Sequence, residues 1–300
     1  MDPIDIPLKG KIILITGGAS GIGLSLTQQS ASLGARILVS DLRTTPTFDQ
    51  LAASNPNIVY VQSDVTRWAD LQNLFTVCEE KWNDVPDAYG ICAGLFEAPF
   101  SNFWQDPEEG EGEGGEGGYK QVRVNVDHPI KLTRLAIRKS LGRGKRASVC
   151  IISSIAGIAS SVAAPLYCAT KHAIVGFVKS LTASEPLTGV KVTTICPGIV
   201  NTPIFDAEKI EQYSFQENAA LMPDDVAVNM LKLLQEKEFK CGTVFEISMA
   251  GTRVIPEWNI DPPSSKGTGR NEEDMKAGMK ALLGPVVETL EGEKKGVAKP

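Results

Sequence analysis

Apolar residues along this chain gather in short β-branched runs, separated by longer stretches where they recur every three to four positions. The runs are KIILIT (11–16), RILVS (36–40), NIVYVQS (57–63), AYGICA (88–93), SVCIIS (148–153), KVTTIC (191–196) and TVFEIS (243–248). Amphipathic segments of helical length follow at 21–33, 67–82, 119–140, 165–185 and 224–236. Near-continuous apolar runs predict strands covered on both faces, and the intervening helices predict right-handed crossovers within a parallel sheet. The expected fold is α/β: a doubly wound, seven-stranded parallel sheet flanked by helices. A single domain over 1–262 is expected, then an extension over 263–300. In that extension Met275, Met279, Leu282 and Leu283 fall at helical spacing between an Asn271 cap and Pro285, which ends the run.

A sheet of this Rossmann type holds ligands beyond the carboxyl ends of its strands, so chemistry is expected just after each run. After the first comes TGGASGIG, with Thr16, Gly17, Ser20, Gly21, Ile22 and Gly23 between a strand and a helix. Glycines allow a tight turn and close backbone approach, and the helix start aims N–H groups at a pyrophosphate. Asp41, ending the second run, is placed for the adenosine ribose hydroxyls. A carboxylate there repels a 2'-phosphate, so NAD is expected over NADP, with Arg43 keeping NADP open. Asp64 and Val65 follow the third run, placed for the adenine ring; Asp64 reads almost as well as a helix cap.

Composition removes several classes of function. The 300 residues carry a net charge of −6, and RKSLGRGKR (138–146) is the one basic cluster, expected as a solvated loop. Nucleic acid and anionic membrane are therefore not expected partners. No apolar run reaches spanning length and the N-terminus lacks a signal pattern, so a cytoplasmic protein is expected. Six scattered cysteines and two histidines read as reduced core residues with no metal site. The glutamate- and glycine-rich stretch at 106–118 reads as a mobile insertion.

PLYCATKHA (165–173) sets Tyr167 and Lys171 four apart on one helical face, with Ser154 thirteen residues before the tyrosine at the end of a strand. A phenol whose ordinary pKa is about 10 serves as a proton donor and acceptor when a neighbouring ammonium favours its charged form. Asn125 lies in VRVNVDHP, where Pro129 lacks the N–H that would bond the carbonyl of residue 125 in a continuous helix. With the glycine turn and CPGIVNT (196–202), these motifs resemble the short-chain dehydrogenase/reductase family over about residues 8–250. The family's T-G-x-x-x-G-x-G stands as Thr16, Gly17, Gly21 and Gly23, and its Y-x-x-x-K as Tyr167 and Lys171.

The resemblance implies that Tyr167 is the acid/base, that Lys171 lowers its pKa and binds ribose, that Ser154 holds the substrate oxygen and that Asn125 organises a water. It also implies cofactor contacts from Ala93, Gly94, Pro197, Gly198, Val200 and Thr202, and a homodimer or homotetramer through the helices carrying Asn125 and Tyr167. The alternative for Thr202 is that it merely precedes a turn at Pro203. The sequence departs from the family's N-N-A-G, which stands here as Ile91, Cys92, Ala93 and Gly94.

The segment 201–222 is expected to cover the substrate. Phe205, Tyr213, Phe215 and Leu221 on it, with Phe96 and Phe100 opposite, supply apolar surface for a lipophilic small molecule, or pack the loop down. Expected substrate contacts are Ser154, Phe96, Tyr167, Phe205 and Tyr213. The expected reaction is NAD(P)-dependent interconversion of a secondary alcohol and a ketone. The alternatives are a non-redox enzyme of the same fold (epimerase, dehydratase or cyclase) and a cofactor-binding scaffold without turnover.

Overall fold

A computed structural model describes residues 4–97, 101–104, 118–205, 216–256 and 272–296. Its strands are β1 (Ile12–Thr16), β2 (Arg36–Asp41), β3 (Ile58–Gln62), β4 (Ala88–Ile91), β5 (Ala147–Ile152), β6 (Val190–Pro197), β7 (Val244–Ser248) and β8 (Gly251–Ile255). They form one sheet in the order β3-β2-β1-β4-β5-β6-β7-β8. Each pairing from β3 to β7 is parallel, as expected of strands joined by helices. The order reverses between β1 and β4, which opens a crevice at their carboxyl ends.

The helices are α1 (Gly21–Ser32), α2 (Pro46–Ser54), α3 (Trp68–Trp82), α4 (Lys120–Val122), α5 (His128–Gly142), α6 (Pro165–Ser180), α7 (Glu185–Thr188), α8 (Pro223–Gln235) and α9 (Glu272–Lys294). A π-helical turn, Arg123–Asp127, joins α4 to α5. Every residue of β1, β4 and β6 is buried. Alternate strand residues feed two cores on opposite faces. Leu14, Leu38, Tyr89, Val149 and Val192 meet α3, α5 and α6 on one face. Ile13, Ile15, Val39 and Ile195 meet α1 and α8 on the other.

Four features differ from expectation. Among the described residues the sheet has eight strands, and β8 returns antiparallel to β7. Residues 251–254 are exposed, so β8 lacks the buried apolar alternation that marks a strand; it is held by its ladder and by Arg253 pairing with Glu246. Helix α2 arises from a Thr45 cap, whose Oγ1 accepts from the Phe48 N–H at 3.3 Å, and from Pro46 in the first turn. It buries only Phe48, too little for a visible period.

Helix α9 runs on through Pro285. The carbonyl that this proline leaves without a donor belongs to Ala281, which is exposed, so water can replace the lost bond. The Asn271 cap and the side chains of Met275, Met279 and Leu282 lie outside the described residues. Finally, 138–146 is not a solvated loop: Arg138 pairs with Glu293 of α9, Lys139 with Glu79, Lys145 with Asp84 and Asp87, and Arg146 with Glu185. Glu293 also takes Arg134, which ties α9 to α5. Among the described residues no helix is long and apolar enough to cross a membrane, and no cluster of three or more His, Cys, Asp or Glu residues could hold a metal. All six cysteines are free.

Candidate functional site

The turn after β1 is shaped for close approach. Gly17 has φ +65°, and a Cβ there would lie 2.7 Å from the Ala93 nitrogen, so the two strand ends abut backbone to backbone. A Cβ on Gly23 would collide with the Gly17 carbonyl. Only glycine at both positions lets the start of α1 fold back against β1. Ser20 is the N-cap of α1, yet its side chain makes no capping bond, leaving the first N–H groups of the helix for another acceptor. Thr16 is buried beside Ser40 of β2, while Ile22 is partly buried on the second core.

At the end of β2, Asp41 accepts from the Ala19 N–H at 3.1 Å and the Leu42 N–H at 2.8 Å, which anchors its carboxylate beside the glycine turn. Asp64 accepts from the N–H and hydroxyl of Thr66 at 2.9 and 2.7 Å. Burial raises this carboxyl, but the Thr66 hydrogen bonds together with the charges of Lys120 and Arg67 outweigh it and hold the carboxyl below its ordinary range. Val65 is buried against the first core.

Ser154, Tyr167 and Lys171 converge at the carboxyl end of β5. The Lys171 Nζ lies 5.4 Å from the Tyr167 ring centroid and donates to the Ile152 carbonyl at 3.0 Å. Ser154 accepts from the Ala156 N–H at 3.1 Å and donates to the Pro197 carbonyl at 3.5 Å. Burial pushes the Tyr167 phenol up to about 12, against the pull of the Ser154 hydroxyl. Burial also pushes Lys171 down to about 8, with the thiols of Cys196 and Cys92 working the other way. In the protein alone, desolvation rather than the charge of Lys171 governs the phenol.

The loop after β4 brackets this group. The Asn125 side chain accepts from the Leu95 N–H at 2.8 Å and donates to the Leu95 carbonyl at 2.9 Å and to Thr170 Oγ1 at 3.1 Å. Gly94 sits between Asn125 and Lys171: a Cβ there would lie 3.5 Å from Asn125 Oδ1 and 3.8 Å from Lys171 Nζ. Phe96 meets the Tyr167 ring edge-on at 4.7 Å and Phe205 at 5.7 Å. Tyr213, Phe215 and Phe100 lie outside the described residues, as does nearly all of 106–118.

Sequence reasoning missed Glu97. It is buried, holds a left-handed φ of +37°, and accepts from the Tyr167 N–H at 2.8 Å. Its own N–H donates to Gln121 Oε1 at 2.9 Å. The N-cap of α6, Ala164, has no side-chain acceptor, so Glu97 caps the helix from across the crevice. A readable signal was present: a helix starting A-P-L-Y with no capping side chain needs an acceptor from elsewhere.

The segment after β6 closes the far side. The Gly198 N–H donates to the Ile247 carbonyl at 2.8 Å, and Val200 bridges to Leu221. Thr202 reaches over the glycine turn, 3.4 Å from where a Gly21 Cβ would stand. Thus the structure brings Thr16 to Gly23, Ala93, Gly94, Asn125, Ser154, Tyr167, Lys171 and Thr202 to one end of the sheet.

Residues 11–212 match the family described as short chain dehydrogenase. The short-chain dehydrogenase/reductase prx4 of Penicillium rubens is 33% identical over 201 residues, 67% of this chain, and the chain spans 58% of that protein's length. The 15-hydroxyprostaglandin dehydrogenase (NAD(+)) of Rattus norvegicus is 26% identical over 282 residues, covering 86% of this chain and 98% of that one. A crystal structure of 3-ketoacyl-(acyl-carrier-protein) reductase from Brucella melitensis, complexed with NADH, shares the fold at a TM-score of 0.67 and 22% identity, over 80% of this chain and 98% of that one. With the match running from the first strand to beyond Thr202, this chain belongs to the short chain dehydrogenase family.

Proposed function

We propose that this chain is an NAD-dependent oxidoreductase interconverting a secondary alcohol and a ketone on a lipophilic small molecule. The observation that carries the reading is the placement of Tyr167: the residue is half-buried, has the Lys171 ammonium beside its ring, and is edged by Phe96.

The residues present fit a dinucleotide. The start of α1, which has no side-chain cap, and the glycine turn suit a pyrophosphate. Asp41 suits ribose hydroxyls and disfavours a 2'-phosphate, which supports NAD over NADP. Thr202, with the backbone from Pro197 to Val200, suits the nicotinamide amide. When bound, the oxidised cofactor supplies the hydride acceptor and a positive ring charge.

Ser154 holds the substrate oxygen, and Tyr167 moves the proton at that oxygen. A phenol at about 12 needs nearby positive charge to act near neutrality. Lys171 supplies one such charge, and its Nζ, bonded here to one carbonyl, has further donors for a ribose hydroxyl. Phe96 and Phe205 give the substrate an apolar wall beside the phenol. A homodimer or homotetramer through α5 and α6 is part of this reading, with the α9 end of α5 already covered by Glu293.

The test is turnover of a panel of lipophilic secondary alcohols and ketones with NAD and NADP, alongside Tyr167→Phe. The expected result is NAD-linked turnover lost by at least ~10²-fold in the variant. Cofactor binding without turnover of any panel member favours the scaffold alternative, and turnover that survives Tyr167→Phe rejects the role given to the phenol.

A further inference from the structure

The π-helical turn that carries Asn125 contains a bonding deficit. The His128 backbone N–H donates to the carbonyl of Arg123, five residues back. The next bond in that register runs from residue 129 to the Val124 carbonyl, but residue 129 is proline and has no N–H. In the α register the donor to Val124 is the His128 N–H, already committed to Arg123. Val124 is buried, so water does not readily replace the missing donor.

The His128 ring stands at this point. It is fully buried, and its Nδ1 lies 3.2 Å from the Val124 carbonyl. A carbonyl only accepts, so Nδ1 carries the proton and Nε2 is the bare nitrogen. Burial, helped by the charge of Lys171, pushes His128 down to about 4, which keeps the ring neutral.

We propose that His128 is a positioning residue: its imidazole donates the hydrogen bond that Pro129 cannot, and thereby fixes the turn that aims Asn125 at the Tyr167 helix. Asn125 directly follows Val124, and its side chain bonds Leu95 and Thr170. Thr170 Oγ1 in turn donates to the Tyr167 carbonyl at 2.8 Å. A slip of the turn into plain α register rotates Asn125 by about 100° and breaks all three of its bonds. The part of this proposal that concerns rate rests on the function proposed above; the part that concerns the turn does not.

The chain has two histidines, so 15N-histidine-labelled protein gives two imidazoles, and a His172→Gln variant assigns them. At pH 7 His128 is expected as the neutral Nδ1–H form; an Nε2–H tautomer or an imidazolium overturns the proposal. The side-chain amide signal of Asn125 reads the turn directly. It is expected to lose its protection from exchange in His128→Leu, and to keep it in His128→Asn, whose amide replaces the donor.

It is also expected to regain protection in His128→Leu with Pro129→Ala, which restores a backbone N–H. Protection retained in His128→Leu, or not regained in the double variant, overturns the proposal, because a ring that merely fills space is not replaced by a backbone N–H aimed at the same carbonyl. With a substrate from the alcohol panel, kcat falls about 10- to 100-fold in His128→Leu and recovers to within about fivefold in the double variant, at unchanged NAD affinity. A wild type that turns over no panel member refutes the reaction and leaves the amide result to decide the turn.

Discussion

The two ends of the sheet each bury a lysine, and the difference between them separates fold from function. Lys191, in β6, donates to the Glu236 carbonyl at 2.9 Å and the Ile4 carbonyl at 3.5 Å. Burial pushes it down to about 8, with the carboxylates of Glu185 and Asp5 and the thiols of Cys150 and Cys241 working the other way. Lys171 suffers the same desolvation, also to about 8, yet donates to one carbonyl and has only thiols favouring its charge. Lys191 spends its donors on tying the N-terminal segment to the sheet. Lys171 sits in an apolar crevice with one carbonyl bond and donors to spare, an arrangement that offsets little of its desolvation in the protein alone.

Replacing each lysine with methionine breaks the comparison most sharply. Lys171→Met is expected to lower turnover by at least ~10³-fold while raising stability by ~1–3 kcal/mol at pH 7. Lys191→Met is expected to leave turnover within about threefold and to destabilise by ~1–3 kcal/mol, because it strands the Glu236 carbonyl. Steady-state assays beside denaturant melts decide both. The pH dependence carries a sign. Between about 8 and the ordinary 10.5 the unfolded chain holds a proton on Lys171 that the folded chain has lost. Stability therefore rises with pH through that window, and the advantage of Lys171→Met shrinks across it.

At the crevice end, Asp41→Ala is expected to reduce the preference for NAD over NADP by about 10- to 100-fold, read from the ratio of kcat/KM values. Acid sharpens the comparison further. Between the ordinary 6.5 and about 4 the unfolded chain protonates His128 while the folded chain does not. Stability falls by ~1–3 kcal/mol as pH drops through that range, and His128→Asn removes the fall. The smallest effect is expected from Glu97. Glu97→Ala removes the acceptor for the Tyr167 N–H, costing about 1 kcal/mol and a few-fold in kcat, whereas Glu97→Gln keeps an acceptor and stays near wild type.

What was legible in the sequence follows from what leaves a periodic or spaced trace. Buried strands such as KIILIT and KVTTIC announce themselves by continuous apolar runs, and the glycine turn by sitting between a strand and a helix. Tyr167 and Lys171 were legible because four residues on a helix is a fixed geometry. Glu97 left no trace of its own, since a glutamate in a loop reads as solvated; its role depends on a helix start seventy residues away, as the spacing of Glu97 and Tyr167 shows. The eighth strand was hidden because its residues face solvent. Pro129 signalled the donor missing from residue 125 in the α register; that the same missing N–H also leaves Val124 without its π-register donor depends on a π turn that leaves no trace in the sequence.

The central claim is that Tyr167 becomes acidic only when positive charge is assembled around it. An ultraviolet difference titration of phenolate, wild type against Tyr167→Phe, measures this with and without oxidised NAD. The account predicts a midpoint near about 12 for the protein alone, falling by at least ~2 units with NAD bound, and a smaller fall in Lys171→Met. A midpoint that NAD leaves unmoved, or that Lys171→Met leaves identical in both states, contradicts it.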